Sequence, residues 1–261
     1  MKILNKNIDL ETFFADLKQT PSNILFLDYD GTLAPFNTDP AKAVPYQGIR
    51  ERLARLLDCS NTRLVIITGR YTRDIIPLLN LQEIPEIWGS HGLERLRPDG
   101  KYEVEQFNEQ TRDYLVQARE IAGALIGEAR LEEKPGCVAL HWRGLQPEII
   151  DQIVRRISPH WEKISREGNL EFKKFDGGLE IRVPGKDKGN AVRQILKEMP
   201  PESMSAYLGD DLTDEDAFAA LGERGLSVLV RQEFRSTQAD LWIEPPEELF
   251  DFINQWLEAC H

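Results

Sequence analysis

One stretch limits what this chain can fold into more than any other: Ile24-Leu25-Phe26-Leu27-Asp28-Tyr29-Asp30-Gly31-Thr32-Leu33. Four apolar residues without polar alternation read as a strand covered on both faces, the kind found inside a parallel sheet. Two carboxylates one residue apart follow, and a glycine turns the chain, so the strand delivers acids to the crevice at its carboxyl end. Side-chain alternation along an extended chain puts Asp28 and Asp30 on the same side, close enough to share one cation. Two bare carboxylates that close repel, and both stay ionised only with positive charge between them. Mg²⁺ suits the position, as a hard ion that accepts carboxylate oxygens and keeps waters for a phosphate. Taken alone, Asp-x-Asp-Gly reads at least as well as a polar turn.

The rest of the chain supplies the context. An amphipathic helix over 9–18 precedes the strand, and a helix near 47–57 follows it. Strand 63–67 runs into Thr68-Gly69-Arg70, and strand 86–88 into Gly89-Ser90-His91-Gly92. Strands alternating with helices and closing in polar loops imply a parallel sheet with its ligand crevice at the carboxyl ends. From residue 93 the texture changes. A hairpin around Pro98-Asp99-Gly100, a helix over 108–127, a strand over 137–142, a helix over 147–161 and paired strands at 170–175 and 178–183 follow, the last two joined at Asp176-Gly177-Gly178. The alternating texture then returns. Lys188 opens a helix, strand 205–208 ends in Gly209-Asp210-Asp211, and Thr213 caps a helix with Asp216 in the box position. The expected fold class is α/β: a Rossmann-like parallel-sheet core formed by 1–92 and 184–261, with an α+β cap inserted at 93–183.

Charge narrows the partners. With 44 acidic against 32 basic residues and a net charge of −12, the surface does not suit nucleic acid or an anionic membrane. A small anionic substrate would need a local basic pocket. Cys59, Cys137 and Cys260 are far apart and in no metal-ligand spacing, so they are expected to be buried thiols of a reducing compartment. No apolar run reaches the ~20 residues that span a bilayer, and Asp9, Glu11 and Asp16 stand where a signal peptide would be apolar. A cytoplasmic location is expected, and nothing in the sequence sets an oligomeric state.

Four polar clusters fall at strand or helix ends: Asp28/Asp30, Thr68, Lys188 and Asp210/Asp214. Each has a plain reading, since a lone lysine is usually solvated and acids near Thr213 favour a helix's positive end. Their joint occurrence in this order carries the weight. With Asp28-Tyr29-Asp30-Gly31-Thr32, Thr68, Lys188 and Gly209-Asp210-Asp211-Leu212-Thr213-Asp214, the chain resembles a phosphatase of the haloacid dehalogenase superfamily with a type C2 cap. Within it, Ser90-His91-Gly92, Leu140-His141-Trp142-Arg143, Leu179-Glu180-Ile181-Arg182-Val183-Pro184 and the run from Gly209 through Glu215-Asp216-Ala217-Phe218 most resemble trehalose-6-phosphate phosphatases.

The resemblance implies a Mg²⁺-dependent phosphatase that hydrolyses trehalose 6-phosphate through an aspartyl-phosphate. It implies Asp28 as nucleophile and Asp30 as acid and base, and pure dehalogenases lack the second aspartate. Thr68 and Lys188 would hold phosphoryl oxygens. The metal would be held by Asp28, the Asp30 backbone carbonyl and Asp210, with Asp214 positioning a metal-bound water. Gly69, Arg70 and His91 on the core and Lys134, His141, Arg143 and Glu180 on the cap are the implied substrate-binding groups. Phe175-Asp176-Gly177 departs from the more basic turn common in that family. Phosphatases for sucrose phosphate or glucosylglycerol or glucosylglycerate phosphate, a phosphomannomutase, and a non-catalytic partner of a trehalose-6-phosphate synthase remain alternatives.

Overall fold

The computed structural model describes residues 1–261 except Thr38, Arg143, Asp176 and His261. The chain divides into two compact units, Met1–Glu103 with Asp187–His261, and Val104–Lys186. The first stretch contains β1 (Lys2–Ile3), α1 (Leu10–Gln19), β2 (Asn23–Leu27), α2 (Ile49–Leu57), β3 (Thr62–Ile67), α3 (Thr72–Leu79), β4 (Glu86–Gly89), β5 (Glu94–Leu96) and β6 (Tyr102–Val104). The smaller unit follows with α4 (Glu109–Ile126), β7 (Leu131–Lys134), β8 (Cys137–His141), α5 (Pro147–Gly168), β9 (Glu171–Phe175) and β10 (Gly178–Arg182). The chain then returns through α6 (Lys188–Glu198), β11 (Met204–Gly209), α7 (Glu215–Leu221), β12 (Leu226–Val230), β13 (Leu241–Ile243) and α8 (Glu247–Ala259).

In the larger unit the strands order as β1-β13-β12-β11-β2-β3-β4-β5-β6. The run from β13 to β4 is parallel throughout. β2 lies in the middle with every residue buried, because both faces of the sheet are covered. Leu25 and Leu27 join Leu64, Ile66, Leu208 and Val228 against α1, α2 and α8. Ile24 and Phe26 turn to the other face and meet α6 and α7 through Ala191, Ile195 and Phe218. That two-sided burial is why the strand shows no polar alternation.

The segment 93–103, expected to open the cap, instead edges the large sheet. β5 folds straight back on β4 antiparallel, with Glu94 opposite Gly89 and Leu96 opposite Ile87. A hairpin-like pattern specifies strand pairing but not which sheet the pair joins, so the compact units part after Glu103 rather than after residue 92. Near the other end of the chain, the box over Thr213 and Asp216 is replaced by one two residues earlier. A 3₁₀ turn, Leu212–Asp214, is capped by Asp211, with Asp214 returning the bond. Cys59 and Cys260 form a disulfide rather than two thiols, joining the end of α2 to the end of α8. Cys137 is free and half-buried, and burial together with Glu180 pushes its thiol up to about 12.

The smaller unit is an antiparallel sheet ordered β7-β8-β10-β9. Val138, Leu140, Leu179 and Ile181 face α4 and α5 across Ala118, Ile157 and Trp161. Alternation places Glu132, Lys134, Cys137, His141, Glu171, Lys173, Glu180 and Arg182 on the opposite face. The expected tight connection between β9 and β10 runs through Asp176, which lies outside the described residues.

Candidate active site

The site gathers at the carboxyl ends of β2, β3 and β11. The Asp28 amide donates to Leu208 O at 2.9 Å, which carries the ladder one residue past β2 and fixes the first acid against β11. Gly31, at φ 82°, then reverses the chain, and a Cβ there would collide with the Asp210 carboxylate. The glycine of the Asp-x-Asp-Gly motif is therefore required twice, for its left-handed backbone and to admit an acid from the neighbouring strand.

Asp28, Asp210 and Asp214 present carboxylate oxygens within 4.8 Å of one another. Lys188, buried at the start of α6, enters between two of them, its Nζ donating to Asp28 Oδ1 and Asp214 Oδ1 at 2.7 Å each. Thr32 Oγ1 donates to Asp28 Oδ2 at 3.3 Å. Asp214 is spent on the protein itself: Oδ1 also accepts from the Tyr207 hydroxyl at 2.6 Å, and Oδ2 from the amides of Asp210 and Asp211 at 3.1 and 2.9 Å. Burial, with Asp214 and Asp30 adding to it against the pull of Lys188, raises the Asp28 carboxyl to about 7. Burial and the charges of Asp28 and Asp214 raise Asp210 to about 9. Burial opposes charge on Lys188, but Asp214 and Asp28 outweigh it and its pKa rises. Three carboxylates around one ammonium leave a net negative, oxygen-lined cluster, which is the donor set a hard divalent cation takes.

The pairing expected of Asp28 with Asp30 is not what forms. β2 stops at Leu27, so the strict alternation does not extend through Tyr29. The Asp30 carboxylate turns to Arg70, which grips it with Nε and Nη2 at 2.6 Å each and donates Nη1 to Pro40 O at 2.6 Å. Leu27 stands opposite Ile66 in the parallel pair, which brings Thr68 to the same end of the sheet, buried, with its hydroxyl accepting from the Arg70 amide at 3.1 Å. The His91 amide donates to Thr68 O at 3.0 Å, and the His91 ring lies against Gly69, where a Cβ would overlap it. Asp28, Asp30, Thr68, Gly69, Arg70, His91, Lys188, Asp210 and Asp214 thus all lie in the larger unit.

Lys134, His141 and Glu180 lie on the polar face of the smaller unit, and Arg143 is outside the described residues. Glu132 links two of them, with His141 Nε2 at 2.9 Å and Lys134 Nζ at 3.1 Å. Burial favours its neutral form, yet His141 and Lys134 outweigh that and hold its carboxyl down at about 2. Glu180 pairs with Arg182 at 3.2 Å.

Several members of the site gave no signal in the sequence. Tyr207 reads as one more buried strand residue. Arg235, in a loop, donates Nε to Asp210 O at 3.1 Å and Nη2 to Asp211 O at 2.7 Å while pairing with Glu215, and so braces the loop that presents Asp210. Glu132 stood in an unremarkable acidic pair.

Known proteins resemble the chain in sequence and in fold. A family model described as trehalose-phosphatase matches residues 26–241. Probable trehalose-phosphate phosphatase H of Arabidopsis thaliana is 27% identical over 96% of this chain and 76% of its own length. The chain spans about two thirds of the length of other curated relatives it matches. The structure of Aspergillus fumigatus trehalose-6-phosphate phosphatase superposes with a TM-score of 0.73 at 21% identity, over 97% of this chain and 98% of that one. A haloacid dehalogenase-like hydrolase from B. subtilis shares the fold at a TM-score of 0.60 and 14% identity, over 90% and 98% of the two chains.

Proposed function

The chain belongs to the trehalose-phosphatase family, and from that premise we propose that it hydrolyses trehalose 6-phosphate to trehalose and phosphate. The observation that carries the chemistry is Lys188 Nζ between Asp28 and Asp214 at 2.7 Å each, with Asp210 in the same cluster. Asp28 is assigned the attack on phosphorus, forming an aspartyl-phosphate that divides one difficult displacement into two easier ones. Asp30, oriented by the two-pronged grip of Arg70, protonates the leaving sugar oxygen and then takes the proton of the attacking water. Thr68 and Lys188 hold phosphoryl oxygens and offset the charge that Asp28 meets on approach. Asp28, Asp210 and the Asp30 carbonyl would hold a Mg²⁺ ion, which would supply further charge neutralisation at the phosphoryl group. Asp214, with all its bonds directed to Lys188, Tyr207 and the Asp210–Asp211 amides, holds the lysine and the loop in place.

Recognition of the sugar is assigned to the smaller unit through Lys134, His141, Arg143 and Glu180, together with His91 and Arg70. Groups of this kind discriminate strongly among hydroxyl-rich substrates, because a missing hydroxyl leaves buried polar partners unpaired. The enzyme that makes trehalose 6-phosphate is the partner this reading implies, through the shared intermediate. Phosphate release across a sugar-phosphate panel with Mg²⁺ tests the assignment. Trehalose 6-phosphate should be the best substrate. Preference for sucrose phosphate or a glucosylglycerol phosphate would move the specificity, phosphoryl transfer without release would favour a mutase, and no turnover of any substrate would leave a non-catalytic partner role. Asp30→Asn should turn over slowly with trapped phosphoenzyme, and undiminished turnover would remove its acid–base role.

A further inference from the structure

Glu94 is a buried carboxylate to which the chemistry above gives no part. It opens β5 at 1% exposure, and its oxygens are taken by neutral donors. Oε2 accepts from the Thr72 amide at 3.0 Å and the Thr72 hydroxyl at 2.7 Å, and Oε1 from the Ser90 hydroxyl at 2.6 Å. Thr72 provides the first amide of α3, and the residue before it, Tyr71, offers no side-chain cap. Glu94 supplies the missing acceptor from another element, with its charge at the positive end of that helix.

Its other partner sits in strained backbone. Ser90 and His91 are successive non-glycine residues in the left-handed region, at φ 49° and 57°. Such backbone persists only where the surroundings over-determine it. Here the Ser90 amide donates to Arg70 O at 2.7 Å, the His91 amide to Thr68 O at 3.0 Å, and Leu93 N to Gly89 O at 3.1 Å. The Ser90 hydroxyl bond to Glu94 ties this turn to the same carboxylate that caps α3. The loop after β3, carrying Thr68, Gly69 and Arg70, and the turn after β4, carrying His91, are thereby joined through one side chain.

We propose that Glu94 is a positioning residue for the phosphatase reaction, which locks the Ser90-His91 turn to the head of α3 and so sets the His91 ring against Gly69, next to Thr68. The proposal rests on the reading in which Thr68 meets the phosphoryl group and His91 the sugar. Glutamine at 94 keeps the shape but loses the charge that faces the Thr72 amide and turns one acceptor into a donor, so the Ser90 hydroxyl keeps a bond only by reversing to accept it. The turn then relaxes, and substrate must reorder it on binding.

The test is a double-mutant cycle over wild type, Glu94→Gln, His91→Ala and the double variant. kcat and KM are measured with whichever sugar phosphate the wild type hydrolyses best, beside thermal melts. Glu94→Gln should lower kcat/KM about tenfold, chiefly through KM. In the His91→Ala background the same change should cost no more than about twofold, because the group it positions is gone. Equal losses in both backgrounds, or an unaltered KM in Glu94→Gln, overturn the proposal. Should the glutamine variant fail to fold, Ser90→Ala removes only the turn-side hydroxyl. Its cycle with His91→Ala reads the same way, non-additive losses supporting the proposal and additive losses refuting it. A wrong substrate assignment shows in the wild-type panel alone, and a wrong role for Glu94 shows in the cycle alone.

Discussion

In the larger unit Asp28 and Asp214 share the buried Lys188 with Asp210 in the same cluster, and burial drives Asp28 and Asp210 up to about 7 and about 9. Glu132 in the smaller unit stands between Lys134 and His141 and is held down at about 2. Both clusters set carboxylate against lysine, with opposite balance. In the first, three carboxylates stand against Lys188, an acidic group that could hold a metal ion. In the second, the acid is already answered by its neighbours, and the groups left over are donors suited to hydroxyls. The contrast supports the proposal that the first cluster concentrates charge for phosphoryl chemistry while the second presents neutralised hydrogen-bonding groups.

The largest effect that can break this contrast is at Asp28. Asp28→Asn removes the proposed nucleophile and should lower phosphate release by about a thousandfold or more, with thermal melting showing a folded protein. A variant at wild-type rate would end the covalent mechanism. Metal removal comes next. Chelation should abolish turnover, and calorimetry on the metal-free protein should show Mg²⁺ binding tightening as pH rises from about 6 to 9, by up to about tenfold for each proton displaced per pH unit. The sign follows from the raised carboxyls: protons hold the Asp28 and Asp210 positions at lower pH and compete with the ion. The same shifts predict the stability of the metal-free protein. A folded-state pKa above the unfolded value gives stability that is present below about 4 and lost as pH climbs through 7 and 9. The melting temperature should therefore fall over that range and recover with Mg²⁺. Affinity independent of pH would contradict the charge imbalance.

How much of each cluster the sequence announced differs for a physical reason. Asp28, Thr68, Lys188 and Asp210 stand at the ends of apolar strands or at a helix start, where local pattern fixes position, and they could be read directly. The pairing of Asp30 with Arg70 could not, because it depends on β2 ending at Leu27 and on Arg70 reaching across from the loop after β3. Arg235 is further from legibility still, since its bonds to Asp210 and Asp211 span 25 and 24 positions of chain with no periodic signal. In the smaller unit the alternation of β7 and β8 puts Glu132, Lys134 and His141 on one face, but only the register of Glu132 opposite Ala139 brings its carboxylate to His141, two residues along. Register between strands is set by long-range pairing, and it also sent 93–103 to the large sheet instead of the cap.

The smaller effects sharpen the second half of the contrast. Glu132→Gln should raise KM for the sugar phosphate about tenfold with a smaller change in kcat, because it frees Lys134 and His141 from their fixed partner without touching the phosphoryl groups. A fall in kcat with KM unchanged would place Glu132 in the chemical step instead. The smallest effect is on stability in acid. Glu132 has its carboxyl lowered from about 4.5 to about 2, so its contribution is fully present above the unfolded value and lost as pH falls from 4.5 toward 2. The side chain keeps 38% exposure, and solvent screening limits the contribution to on the order of 1 kcal/mol. Denaturant titrations at pH 5 and pH 3 should show wild type losing about that much more than Glu132→Gln. Metal-free samples of both are needed, because Asp28 and Asp210 then add the same slope to each, from their ionisation in the unfolded chain near pH 4, and it cancels in the comparison. Equal losses in the two proteins would mean that Lys134 and His141 do not neutralise Glu132 in the folded state, and the opposition between the clusters would rest on the larger unit alone.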